Sequence, residues 1–249
     1  MRFAAFLKVI SIIFVSGWIA TKTLAETKLK IVVDEWPPFG GAELPHQGIS
    51  LHVMTTILEK AGYKIDASVV PWERALQGIK RGDYDLIGNL FADTDLKKYL
   101  TLSEPFFQTD VKFVRKKGSA ISFAKLPDLK PYKIAVGEGY FYESAFDTAS
   151  FLKKQVVTNT LQGLRMVAGG RVDLTLDSVD VVTYLWSRKD KSLAQKLEFV
   201  PKALATRSIH FGVRKNFNGK DKLLKDFNRL LKQMKSDGSL EKLLLVHKN

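Results

Sequence analysis

The chain has no cysteine among its 249 residues, and that absence removes several classes of protein at once. No disulfide can staple it, no thiol can act as a nucleophile, and no sulfur ligand can hold zinc or an iron–sulfur cluster. The missing cysteine after the N-terminal apolar run also excludes a lipidated N-terminus of the bacterial lipoprotein kind. Histidine is scarce: His46, His52, His210 and His247 show no metal-ligand spacing, so no metal is expected. No serine sits in a Gly-x-Ser-x-Gly elbow, and Gly137-Glu138-Gly139 lacks the spacing of either phosphate loop. Low-complexity segments and flexible linkers are lacking too. These absences argue against catalysis and leave stability to a hydrophobic core.

The N-terminal apolar run, Val9 to Ala20, is too short to span a bilayer comfortably. Met1-Arg2…Lys8 precedes it as a positive segment, and Thr23-Leu24-Ala25 follows with small residues at the cleavage positions. Residues 1–25 therefore read as a signal peptide cut after Ala25, so the mature protein is expected to be exported, soluble and free. The 224 residues from Glu26 to Asn249 suit two lobes of about 100 residues each. Three of the 39 basic residues lie in the leader, leaving 36 against 26 acidic ones. Lys220, Lys222, Lys225, Lys232 and Lys235 interleave with Leu223, Leu224, Phe227, Leu230, Leu231 and Met234 at helical spacing. That is a solvated face opposite a core face, so no nucleic-acid partner is implied.

One phrase occurs twice. Ala75-Leu76-Gln77-Gly78-Ile79-Lys80-Arg81-Gly82-Asp83-Tyr84-Asp85-Leu86 is answered by Leu161-Gln162-Gly163-Leu164-Arg165-Met166-Val167-Ala168-Gly169-Gly170-Arg171-Val172-Asp173-Leu174. Each is an amphipathic helix stopped by a glycine able to take φ > 0, then an acidic residue at the head of an apolar strand. A recurrent αβ unit suggests two similar lobes, and clefts between lobes are where small molecules bind.

The pattern predicts strands at 28–33, 65–70 and 84–88 and helices at 50–61 and 72–81. A second series has strands at 134–136, 155–157 and 172–176, a helix from the Gly139-Tyr140 loop to about Lys153, and another at 161–168. Helices over 220–236 and 240–246 close the chain. Strands alternating with helices argue for parallel pairing with crossovers. Residues 26–112 are expected to form the first lobe, 113–206 the second, and 207–249 the return to the first. Two extended crossings, 111–115 and 207–213, would act as the hinge.

Several phrases resemble the bacterial solute-binding proteins of family 3, the periplasmic receptors of polar amino-acid ABC importers. Asp34-Glu35-Trp36-Pro37-Pro38-Phe39 resembles the family's opening motif, and Pro71-Trp72-Glu73-Arg74-Ala75-Leu76 with Gly82 and Asp85 its Trp…Leu…Gly…Asp stretch. Leu102-Ser103-Glu104-Pro105-Phe106 is similar to its Phe-Ser-x-Pro-Tyr, and Gly170-Arg171-Val172-Asp173 to its Gly-Arg-x-Asp. Arg214-Lys215 and Ser236-Asp237-Gly238-Ser239-Leu240 resemble its C-terminal phrases. The resemblance implies an α/β, type II periplasmic-binding-protein fold: two βαβ lobes joined by two hinge crossings that close over a solute. It also implies an inner-membrane ABC permease as partner, a monomer, and no cofactor.

The departures bear on the solute. The family's carboxylate-gripping arginine falls at Leu96, with Lys97 adjacent, and its acid for the α-amino group falls at Ser178, with Asp177 one residue short. Its small threonine is Tyr140, backed by Phe141 and Tyr142. A ligand that is amino-acid-like but not a standard α-amino acid follows, small and polar or partly aromatic. Trp36, Phe39 and Trp72 sit at or just past strand ends, where wound sheets bind ligands; Asn89 and Phe91 leave the third strand towards the cleft. Arg74, Lys97, Glu35 and Asp177 are the candidate charges, with Phe141 and Ser178 completing the set. Two alternatives stay open: an input module for a membrane receptor, and a dehydratase-like enzyme, which would need Glu35 or Asp177 as a general acid. A fused lytic domain is excluded by length.

Overall fold

The computed structural model describes residues 28–92 and 95–247; the expected leader lies outside them. The first half holds β1 (Lys28–Val33), α1 (Ile49–Lys60), β2 (Lys64–Val69), α2 (Trp72–Arg81), β3 (Leu86–Leu90) and β4 (Leu100–Leu102). The long β5 (Phe107–Lys116) leads to β6 (Lys133–Gly137), α3 (Ser144–Asp147), β7 (Lys153–Val157), α4 (Thr160–Ala168) and β8 (Leu174–Ser178). After α5 (Val179–Tyr184) and α6 (Lys191–Lys196) comes β9 (Leu197–Arg214), then α7 (Lys220–Ser236) and α8 (Ser239–Leu245).

Strand order is β2-β1-β3-β9-β5-β8-β6-β7, with β4 beside β9. β1 pairs in parallel with β2 and β3, and β6 in parallel with β7 and β8, so each half is a wound βαβ unit. The two antiparallel strands between them are shared. The C-terminal part of β9 pairs with β3 and β4, whereas β5 pairs with both β8 and β9. The predicted crossings are thus parts of longer strands, β9 running for 18 residues. Side chains join the two crossings: Thr206 Oγ1 donates to Asp110 Oδ1 at 2.6 Å, and Gln108 Nε2 to Ser208 Oγ at 3.4 Å.

Burial explains the apolar strand ends. Leu29, Ile31 and Val33 pack with Met54, Ile57 and Leu58 of α1, while Val32 packs with Ala75 and Ile79 of α2. A strand covered on both faces reads as a continuous apolar run, as 31–33 does. The duplicated phrase folds as read, with Gly82 at φ 91° after α2 and Gly170 at φ 70° after α4. Phe211 and Phe227 meet edge to face at 4.5 Å, fastening α7 to β9.

The structure departs from the sequence reading between Tyr140 and Lys153. Instead of one helix there is a single turn, α3, capped by Glu143 accepting from Phe146 N. Asp147 accepts from the backbone N–H groups of Tyr142 and Glu143 at 2.9 and 2.8 Å, folding the segment back on itself. That local bonding competes with helix and lets Tyr142 and Phe146 enter the second lobe's core. The strand expected at 172–176 begins at Leu174, because Asp173 is spent accepting from Lys133 N at 2.8 Å.

Phe211 is fully buried, so Phe211→Ala should cost about 3–5 kcal/mol in urea denaturation. Tyr99, half exposed, should change stability by no more than roughly 0.5 kcal/mol when cut to alanine.

Candidate functional site

A cavity of about 70 Å³ lies between the two halves, lined by Asp34, Trp36, Trp72, Asn89, Phe91 and Leu96 from one side and Tyr140, Phe141 and Asp177 from the other. Its framework is the loop after β1. Trp36 N donates to Gly40 O at 3.0 Å and Phe39 N to Trp36 O at 2.9 Å, so the loop closes on itself just past the carboxyl end of β1. Asp34 stands at the carboxyl end of β1 and is 4 % exposed.

Asn89 reaches Asp34 through a strained backbone. The β3–β9 register shifts between Ile87 and Leu90, and Asn89 takes φ 60°, a left-handed conformation for a residue with a side chain. The bulge turns its carboxamide so that Nδ2 donates to Asp34 Oδ1 at 2.8 Å. Its own oxygen, Oδ1, is buried and accepts no hydrogen bond.

Asp177 comes from β8, whose alternation puts Leu174 and Leu176 into the second lobe's core and Thr175 and Asp177 on the opposite face. It gathers three donors: Thr160 Oγ1 from the first turn of α4, Ser178 N at 2.7 Å and Trp36 Nε1 at 3.1 Å. The indole bond spans the gap between lobes. A second bridge runs from Trp72 Nε1 on α2 to Gly139 O in the loop after β6, at 3.0 Å.

Burial governs the charges. It pushes the Asp34 carboxyl up to about 7, against the Asn89 bond and with the negative charges of Asp177 and Glu35 adding to the rise. Asp177 is pushed up to about 6 by burial, opposed by its bonds from Thr160, Ser178 and Trp36. The phenols of Tyr140 and Tyr142 are raised, by burial first and by the nearby carboxylates second; Tyr142 is also fixed by accepting from Gly137 N at 2.8 Å.

Seven of the sequence candidates line this cavity: Trp36, Trp72, Asn89, Phe91, Tyr140, Phe141 and Asp177. Five lie elsewhere. Phe39 is a core ring, edge to face with Phe107 at 5.1 Å, because Ser50 N binds Phe39 O and draws it under α1. Ser178 faces the hinge, 2.6 Å from Thr109 Oγ1. Glu35 is exposed, its Oε1 accepting from Ala42 N at 2.9 Å, and borders a neighbouring cavity. Arg74 and Lys97 are exposed, Arg74 on the outer face of α2 and Lys97 in a turn whose neighbour Leu96 faces the cavity instead. Asp34 and Thr160 escaped the sequence reading. Asp34 had a signal, an acid at the carboxyl end of a buried strand; Thr160 had none, since its role depends on where β8 lies.

The structure also gathers three histidines distant in sequence. His46 and His52 stack at 3.8 Å, and His52 Nδ1 lies 3.0 Å from His247 Nε2. Burial lowers His52 to about 4 and lowers His247 as well. Stacked rings point their in-plane lone pairs in parallel, and among the described residues no group of three or more side chains could hold a metal ion.

Two wound lobes, a pair of antiparallel crossings and a ligand-sized gap between them define a type II periplasmic-binding-protein fold. A model of the bacterial extracellular solute-binding proteins, family 3, matches residues 29–246, and the chain belongs to that family. Its members bind small solutes and work with ABC transporter permeases. The L-cystine-binding protein TcyA of Bacillus subtilis is 26% identical over 197 residues, 79% of this chain and 70% of that protein. A solved histidine kinase sensor domain similar to periplasmic binding proteins superposes with TM-score 0.76 at 17% identity, over 90% of this chain and 97% of that one. The ancestral amino-acid-binding protein AncCDT-1, a precursor of cyclohexadienyl dehydratase, gives TM-score 0.70 at 23% identity over 87% and 93%. No helix among the described residues is long and apolar enough to cross a membrane.

The raised carboxyl of Asp34 has a sign for stability. The folded state holds this proton above the ordinary value of 3.8, so ionising it weakens folding as pH climbs from about 4 to about 7. His52, lowered by burial, acts oppositely across part of that window, so the difference between proteins is the clean measure. Asp34→Asn should gain stability relative to the parent as pH rises to about 7, then level off, in paired thermal melts. A pH-independent difference would contradict the buried-carboxyl account.

Proposed function

We propose that this protein is a periplasmic receptor that captures a small solute between its lobes and hands it to an inner-membrane ABC permease. In this reading residues 1–25 are removed on export, residues 26–112 with 207–249 form one lobe, and 113–206 form the other. The mature protein acts as a monomer without cofactor. The observation that carries the reading is the cavity, whose lining comes from both lobes and whose walls are tied by two indole bonds, Trp36 to Asp177 and Trp72 to Gly139. Groups held together only when the lobes meet make the closed state the binding state. The seven lining candidates contact the solute, joined by Asp34.

A relative named for L-cystine makes sulfur-containing amino acids reasonable members of a screen. They are not the favoured class, because Leu96 stands where an arginine would grip a carboxylate. A second reading, an enzyme on the same scaffold, draws on the Asp34 carboxyl near 7, which suits a general acid. Turnover of any bound compound, followed by mass spectrometry, would promote it. A sensory role would show as retained binding with no loss of uptake when the permease is deleted.

Binding should shrink the molecule. Small-angle scattering with a compound that raises the melting temperature should give a smaller radius of gyration, since a ligand selective for the closed state shifts the population. An unchanged radius would argue for a rigid protein. Trp72→Phe keeps the ring but loses the bond to Gly139, so affinity should fall about threefold to tenfold, the worth of one net hydrogen bond.

A further inference from the structure

The cavity is oversupplied with hydrogen-bond acceptors. Asp34 and Asp177 are 4 % and 1 % exposed, and both face it. Asn89, 8 % exposed, adds Oδ1, a buried acceptor with no donor. Its nitrogen lies towards Asp34, donating to the side-chain Oδ1 at 2.8 Å and to the main-chain O at 3.4 Å, an atom that can only accept, which leaves Oδ1 as the free end of the amide. No lysine or arginine is among the described residues of the lining. Arg207 lies beyond it, its guanidinium 5.5 and 5.1 Å from the ring centroids of Phe91 and Phe141 and donating to Ala92 O at 3.2 Å.

What completes such a site is a positive charge carrying several donors. Three acceptors from three segments match the three N–H bonds of a primary ammonium group. Trp36, Phe91 and Tyr140 put aromatic rings in the wall beside these acceptors, a setting that favours a cation, while Trp72, Leu76 and Leu96 offer an apolar surface to a hydrocarbon stem. A cavity of about 70 Å³ suits a small buried head, with the rest of the solute lying along the wall. A carboxylate placed there would face two buried carboxyl groups with no lysine or arginine among the described lining residues, and would lose its hydration with little compensation.

Taking the cavity as the solute site, we propose that its solute is a small primary amine without a carboxylate. Its ammonium head bonds to Asp34, Asp177 and Asn89 Oδ1, and its hydrocarbon part lies on the aromatic wall.

The test compares amines with their carboxylated counterparts on the full mature chain at pH 8, by calorimetry and thermal shift. The pairs are isobutylamine with L-valine, phenethylamine with L-phenylalanine, and putrescine with L-ornithine. At least one amine should bind roughly tenfold or more tighter than its partner, the scale of a charge-assisted bond. Asp34→Asn and Asp177→Asn should each weaken that amine roughly tenfold while far-ultraviolet circular dichroism stays that of the parent. Equal or tighter binding of the amino acid, amine binding unchanged in both variants, or no amine binding at all would overturn the proposal. Compaction on binding an organic acid or L-cystine would overturn it while leaving the receptor reading intact; absence of both binding and compaction across the wider screen would remove both.

Discussion

The indole of Trp36 donates to Asp177 across the gap between lobes, and most of the site is arranged around that contact. Asp177 is almost wholly buried, and a carboxylate in that position survives only with donors on it. Two of its donors, Thr160 and Ser178, come from its own lobe; the third arrives with the other lobe. Separation of the lobes would hydrate the carboxylate and free the indole together. The bond therefore links a local electrostatic requirement to the global arrangement, and it places the aromatic wall of one lobe against the acid of the other.

If the lobes part as proposed, the shared strands are where the bend would fall. β5 belongs to the second lobe through β8 and to the first through the stretch of β9 that continues to β3. The ladder is irregular where this handover happens, with register shifts between Val111 and Val114. Thr109 and Asp110 then hold their neighbours by side chain, Thr109 to Ser178 and Asp110 to Thr206. Ser178 is part of the same picture. A position that invites reading as a ligand contact is next in chain to Asp177, and strand alternation turns it to the hinge instead.

Local features were legible in the sequence and long-range ones were not. Buried strands such as 31–33, the two helix-glycine-acid phrases and the proline pair each carry their structure in a few adjacent residues. The aromatic character of the site was legible for the same reason, since Trp36, Phe91 and Tyr140 stand at ends of such elements. The helix expected after Tyr140 failed because Glu143 and Asp147 bond to nearby backbone, a competition that apolar periodicity does not register. Arg74 and Lys97 lie outside the cavity for another reason. Charge alone nominates a residue, but only helix phase and the direction of a turn decide whether it faces a cavity or water. Thr160, Asn89's bond to Asp34 and the stacking of His46 on His52 join segments that have no shared pattern in the chain.

The charge distribution sets how selection must operate. The chain is strongly basic, at +13, yet the described residues lining the cavity include two carboxyl groups and no cationic side chain. Lysines on α7 sit on the solvated side of the helix, away from the gap, and at physiological salt their influence fades over roughly 8 Å. Long-range attraction therefore does not draw a cation towards this protein; its surface opposes one weakly. For the amine we propose, recognition would come at short range, after desolvation, where an acid at the end of a buried strand and an orphaned carbonyl outweigh the field of distant lysines. A binding site of that kind gains little from faster encounter and much from closure, which removes water from between the opposed groups and strengthens each contact within. The basic exterior and the acidic interior are then compatible: in the proposed receptor the exterior charge acts weakly at the gap, and the groups that meet when the indole of Trp36 reaches Asp177 would decide what stays bound.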